Sequence, residues 1–325
     1  MMSWMYIMTM SLMILMSIMM TISMNNPLPM WFAMELNTSA IIPILAMNNK
    51  KNKGMAMKYQ IINSFAALIF MFTTMNMNMM MNKMNLMYML MMLSMIMKLG
   101  MFPFMFWFIS IMKNMNWYSI MLLSSIQKII PLMILTWMEL KMNFLMMNII
   151  IIMNVTITAI NTLTSNNIKI IMAFSSISYT SWIMMIMMYS NTYWMLIMFI
   201  YTMNMMLLTK MMSKKKMNKL MKTSKEKNMM MAFILLNIGG MPPMAGFAMK
   251  IMIIKLIMTS MSTMLFITSL IMLVSATMML FVYMKLIISS MMKMQMTMTW
   301  KKMKNKSMMK MMMMISMITP MILMW

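Results

Sequence analysis

Apolar runs of about 20 residues recur from one end of this chain to the other, and that spacing constrains its fold more than any other feature. About 20 apolar residues is the length a helix needs to cross the hydrocarbon core of a bilayer, where only helices and closed barrels satisfy every backbone group. The sequence predicts an all-α polytopic membrane protein with eleven transmembrane helices and no sizeable soluble domain. The expected spans lie near 3–23, 28–47, 59–75, 86–112, 117–138, 144–163, 168–189, 192–208, 229–258, 264–286 and 308–324. The N-terminal MMSWMYIMTM has no basic region and no small-residue cleavage site, so it reads as the first span and not as a signal peptide.

Composition then removes whole classes of chemistry. The chain has no Cys, no His and no Asp, and all 27 of its basic residues are Lys. Bis-histidine haem, copper, zinc and iron–sulfur sites draw on imidazole or thiolate, so no metal and no redox cofactor is expected in this chain. The 82 methionines are flexible apolar filler, spread throughout and not clustered as a soft-metal site would be. The net charge of +24 does not call for a nucleic-acid partner, because its lysines follow topology. Twenty lie in even-numbered loops, including the dense run Lys210–Lys227, against Lys83 and Lys141 in odd-numbered ones. Lysine-rich loops stay on the side of synthesis, which puts the N-terminus there and the C-terminus opposite. The basic run is expected to be a solvated loop, one that can also meet anionic lipid head groups.

Two spans are interrupted. Met95–Phe108 (MIMKLGMFPFMFWF) carries Lys98, Gly100 and Pro103, and Ile238–Gly246 (IGGMPPMAG) is followed by Lys250. Proline removes a backbone donor and clashes with the preceding turn, so both helices should break. The breaks lie five spans apart, an odd number, so they run in opposite directions through the membrane. Paired broken helices of this kind point to a transporter built from inverted repeats, here about 1–140 and 141–290, with a C-terminal span at about 308–325. Four charged residues fall well inside spans, away from their ends: Glu35, Lys98, Lys128 and Lys250. Each costs about 3 kcal/mol to insert, which favours a functional role over chance. Unpaired buried charges tend to neutralise, which brings such lysines within reach of proton uptake and release. Glu35 is the only acid inside a span, and it can pair with Lys98 either as a switch or as a static ion pair. Lys255 and Lys285 read as snorkelling lysines.

Five segments in order resemble the subunit 2 family of NADH dehydrogenase, the antiporter-like subunits in the membrane arm of respiratory complex I. They are Trp31–Asn37 (WFAMELN), Lys98–Trp107 (KLGMFPFMFW), Ser125–Pro131 (SIQKIIP), Met172–Ile177 (MAFSSI) and Gly239–Phe247 (GGMPPMAGF). The abundance of Met, Ile, Asn and Lys is also similar to usage in AT-rich mitochondrial genomes. The resemblance implies a proton-translocating subunit of NADH:ubiquinone oxidoreductase in the mitochondrial inner membrane. The lysine-rich loops would then face the matrix and the C-terminus the intermembrane space. Glu35, Lys98, Lys128 and Lys250 would form the mid-membrane proton line. NADH, FMN, iron–sulfur clusters and ubiquinone would belong to partner subunits. The implied partners are neighbouring antiporter-like and small membrane-arm subunits, with membrane lipid, cardiolipin included, and no nucleic acid. Other readings of the same residues are a stand-alone cation/proton antiporter and a structural membrane spacer. The chain departs from the family at Met105 and Tyr179, where histidines are common, and at Met249 and Ile251, where Pro and Trp are common. Water, Ser178, Tyr179 or Thr180 would have to bridge those gaps.

Overall fold

The computed structural model describes residues 2–47, 50–76, 84–138, 144–188, 193–213, 225–242, 244–260 and 263–292. All regular structure among them is helical. Among the described residues, eight helices are long and apolar enough to cross a membrane, and Met84–Leu99 and Met229–Gly239 of the interrupted spans are shorter apolar ones. The chain divides into two compact units, Met1–Ile150 and Ile151–Trp325.

The first unit contains α1 (Met2–Ser23), α2 (Pro27–Ala46), α3 (Lys50–Asn76), α4 (Met84–Leu99), α5 (Met105–Asn114), α6 (Trp117–Met121) and α7 (Gln127–Met138). A π-helical turn, Leu122–Ile126, joins α6 to α7 without a break. Both α2 and α4 pack on α7, which is buried along most of its length. On α1, Met5, Met8, Leu12, Met16 and Met19 are all exposed. That stripe of large apolar side chains suits lipid and would be costly in water.

The second unit contains most of α8 (Phe144–Thr164), then α9 (Ile168–Met187), α10 (Tyr193–Ser213), α11 (Lys225–Gly239), α12 (Ala245–Ser260) and α13 (Thr263–Met292). Nearly every residue of α9 is buried. Its hydroxyls are tolerated there because they bond back to carbonyls of their own helix, as Ser176 does to Ala173 and Thr180 to Ile177.

The first ten expected spans fall on these helices; the eleventh, at about 308–324, lies outside the described residues. One boundary differs markedly. The third span was expected from residue 59, but α3 begins at Lys50. Lys53 and Lys58, expected in a loop, stand exposed on its opening turns. Lysine is a good helix former, so the helix continues past the apolar stretch. For the same reason Lys113 and Lys210 occupy the last turns of α5 and α10, where the negative helix end favours them.

Both interrupted spans stop in the same backbone motif. The Gly100 amide donates to the Met97 carbonyl and the Met101 amide to that of Ile96; the Gly240 amide donates to Asn237 and the Met241 amide to Leu236. This pair of hydrogen bonds closes the last turn of a helix on a left-handed residue, and Gly100 and Gly240 sit at φ 66° and 68°. Glycine alone adopts that conformation cheaply. The glycine therefore ends each helix, and the proline that follows only keeps it from resuming.

The second break is also sterically closed. A Cβ on Gly246 would run into the Asn237 backbone carbonyl, whereas one on Gly54 would meet nothing within 4 Å. Gly246→Ala should destabilise the fold by about 1–3 kcal/mol or more through overpacking, while Gly54→Ala should be neutral or slightly stabilising. Thermal unfolding of the two variants in detergent checks the contrast.

Candidate functional site

The first unit gathers three of the four mid-span charged residues. Glu35 on α2 and Lys98 on the last turn of α4 are both half-buried, and the Glu35 carboxylate acts on the Lys98 ammonium through its charge. The ammonium donates to the Met34 thioether Sδ at 3.2 Å, a weak acceptor. Glu35 also accepts a long hydrogen bond from Thr38 Oγ1, at 3.4 Å. Lys98 gains further from its place at a helix C-terminus, where the peptide dipoles present partial negative charge.

Lys128 is almost wholly enclosed, only 2% exposed. Its ammonium lies 4.9 Å from the centre of the Phe108 ring, within cation–π range. The π-helical turn just before it shifts the register. The Gln127 amide reaches the Leu122 carbonyl, five residues back. Pro131 lacks the N–H that would have met the Gln127 carbonyl, which helps account for irregular winding here. Such turns are frequent at functional sites.

Beside Lys128 stands a polar cluster that sequence reasoning did not single out. Gln127 and Asn37 exchange two amide hydrogen bonds, at 3.0 and 3.2 Å, and the Tyr59 hydroxyl donates to Gln127 Oε1 at 2.7 Å. All three side chains are buried. The cluster joins α2, α3 and α7 next to Glu35 and Lys128, so it holds the helices that carry them.

Lys250, in the second unit, is arranged differently from Lys98. Lys98 precedes its break, whereas Lys250 lies on α12, after the break, and its side chain folds back. Its ammonium donates to the Gly239 carbonyl at 2.8 Å and the Gly240 carbonyl at 3.4 Å. It thus fills the carbonyl end of α11 with a tethered cation. Asn237 fastens the same break: its Nδ2 donates to Asn204 at 2.9 Å, and its Oδ1 accepts from the Gly246 amide at 3.1 Å.

A cavity of about 30 Å³ adjoins Lys250, lined among others by Ser175, Ser178, Tyr179, Ser275 and Tyr283. It has room for about two water molecules among these polar groups. Of the side chains considered as substitutes for histidine, Ser178 and Tyr179 border this space. The Tyr179 hydroxyl itself turns to the Ile197 carbonyl at 3.3 Å, and its ring stacks on Tyr201 at 4.2 Å. The Thr180 hydroxyl is bound to its own helix at Ile177. Met105, at the other departure, is buried at the start of α5 and offers only an apolar thioether. Lys255 and Lys285 are exposed.

The described residues include no group of three or more carboxylate side chains suited to a metal. Comparison with known proteins identifies the family. A family model described as the transmembrane region of NADH:quinone oxidoreductase and Mrp antiporters matches residues 24–270. The NADH-ubiquinone oxidoreductase chain 2 of Lumbricus terrestris is 34% identical over 266 residues, 78% of each chain. The chain belongs to the NADH-ubiquinone oxidoreductase chain 2 family. The family-model match, residues 24–270, spans both helix breaks and Glu35, Lys98, Lys128 and Lys250. Solved structures share the fold at low identity. A chain of respiratory complex I from Thermus thermophilus superposes with a TM-score of 0.77 at 14% identity, covering 98% of this chain and 77% of that one. A chain of the Mrp complex from a Dietzia species does so with a TM-score of 0.73 at 11% identity, covering 85% and 59%.

Gln127→Leu would strand the Tyr59 hydroxyl and the Asn37 amide together, at about 1–3 kcal/mol for each buried group left unsatisfied. Tyr59→Phe should cost less, because the amide pair survives. Thermal unfolding of the two variants should rank them in that order.

Proposed function

We propose that this chain is a proton-translocating membrane subunit of a mitochondrial NADH:ubiquinone oxidoreductase. The observation that carries the reading is the placement of lysines at two identically capped helix breaks inside a family of proton-linked membrane subunits. In this reading the chain holds eleven spans, arranged as two inverted halves with one further helix. NADH oxidation at FMN, electron transfer through iron–sulfur clusters and ubiquinone reduction take place in partner subunits. The neighbours are antiporter-like and small membrane-arm subunits and inner-membrane lipid, with cardiolipin suited to the basic loops. The N-terminus faces the matrix and the C-terminus the intermembrane space.

Glu35, Lys98, Lys128 and Lys250 act as the charges that move. A shift of the Glu35 carboxylate away from Lys98 withdraws the charge that favours the ammonium and frees its proton. Met34 as the contacting acceptor supports a switch over a static pair, since a thioether holds an ammonium less firmly than a carboxylate would. Lys128 lies next on the line, and Lys250 exchanges its proton with water in the adjoining cavity.

Likeness to the Mrp chain favours a second reading, a cation/proton antiporter working in another assembly. The native mass of the purified complex and its flavin and iron–sulfur content separate the two. Within the proposed reading, Lys98→Met in an intact complex should lower the protons pumped per electron. Glu35→Gln should slow coupled turnover at unchanged subunit levels. If Glu35→Gln reduces assembly alone, the pairing of Glu35 with Lys98 is structural.

A further inference from the structure

We infer that Phe108 is a positioning residue that ties the charge on Lys128 to the break between α4 and α5. Three contacts of one side chain carry this. Its ring lies under the Lys128 ammonium, 4.9 Å from the centroid. Its Cβ and Cγ fill the place where a side chain on Gly100 would stand, at 2.7 and 3.0 Å from the position of such a Cβ. The ring also meets Trp107 edge to face, with centroids 5.8 Å apart and planes at 89°. Trp107 in turn donates its indole N–H to the Met97 carbonyl at 3.2 Å, one residue before Lys98. Phe108 therefore touches Lys128 on one side and the glycine turn on the other, and reaches the Met97 carbonyl at the end of the Lys98 helix through Trp107.

The coupling follows from the electrostatics of the ring. An aromatic face attracts an ammonium and has no comparable hold on a neutral amine. Lys128 is 2% exposed and Phe108 3% exposed, so both are enclosed within the first unit. A proton leaving Lys128 releases a pull on Phe108, and a tightly packed interior passes that displacement to its neighbours. The neighbours here are Gly100, whose backbone has no side chain to cushion it, and Trp107. The helices packed on α7 contribute Tyr6 from α1, Glu35 from α2, and Tyr88 and Lys98 from α4 as titratable groups. Phe108 comes from α5, after the break, and links Lys128 to the end of α4 without being charged itself. Phe108 thus lets Lys98 and Lys128 respond to each other through the backbone of the interrupted span.

This inference rests on the proton-line reading, and the experiment separates the two. The complete complex, reconstituted in vesicles, is compared with Lys128→Met, Phe108→Met and Phe108→Tyr by protons pumped per electron at matched NADH oxidation. Methionine keeps apolar bulk and removes the ring, whereas tyrosine keeps the ring. Phe108→Met should show at least about half of the loss produced by Lys128→Met, and Phe108→Tyr should stay close to the unaltered complex. An unchanged ratio in Lys128→Met overturns the proton-line reading and this inference with it. A loss in Lys128→Met with a normal ratio in Phe108→Met overturns the inference alone. So does an equal loss in Phe108→Tyr and Phe108→Met, or a Phe108→Met chain that no longer assembles, since either result gives the side chain a packing role.

Discussion

A helix that stops inside a membrane leaves carbonyl groups that neither water nor lipid will satisfy, and the rest of this structure is arranged around that problem. Two bonds of the terminal glycine turn meet part of it at each break. At the first, the Trp107 indole adds a neutral donor. At the second, Lys250 brings a full charge to the carbonyls of Gly239 and Gly240. Partial negative charge at a helix end makes an ammonium tolerable where lipid alone would reject it. Ending the helix and admitting the charge are thus a single arrangement.

The two breaks share a backbone and differ in their chemistry. Gly100 and Gly240 have nearly the same φ and the same pattern of amide donors. Lys98, however, sits before its glycine and answers to Glu35 and Met34, while Lys250 sits after its own and answers to the helix end. A lysine near each break is therefore not a repeated element in detail. In the proposed reading a signal enters at Lys98 through Glu35, and the polar space beside Lys250 takes up its proton.

The broad architecture was legible because it rests on local properties. Apolar run length placed the helices from α1 to α13, and glycine with proline marked both interruptions. Glu35, Lys98, Lys128 and Lys250 stood out because a charge in an apolar run is conspicuous. What escaped depends on tertiary partners. Asn37 and Gln127 bond across 90 positions of sequence, and each looks like an ordinary polar residue in its own helix. The π-helical turn at Leu122–Ile126 has no signature of its own, although Pro131 downstream is the residue that could have raised the question. The return of Lys250 to Gly239 depends on the path of the turn, which residue types do not specify. The early start of α3 was missed because length in a membrane was judged by apolarity, while a helix is free to continue into water on lysine-rich turns.

The central claim is that lysines held at interrupted helices carry protons, and Lys250 tests it most directly because its ammonium donates to the backbone carbonyls of Gly239 and Gly240. The measurement is proton release into the lumen of vesicles by the intact complex carrying Lys250→Gln, a side chain that can still donate hydrogen bonds to the same carbonyls. The account predicts continued NADH oxidation with fewer protons moved per electron in coupled vesicles. An unchanged ratio in the assembled variant would contradict it.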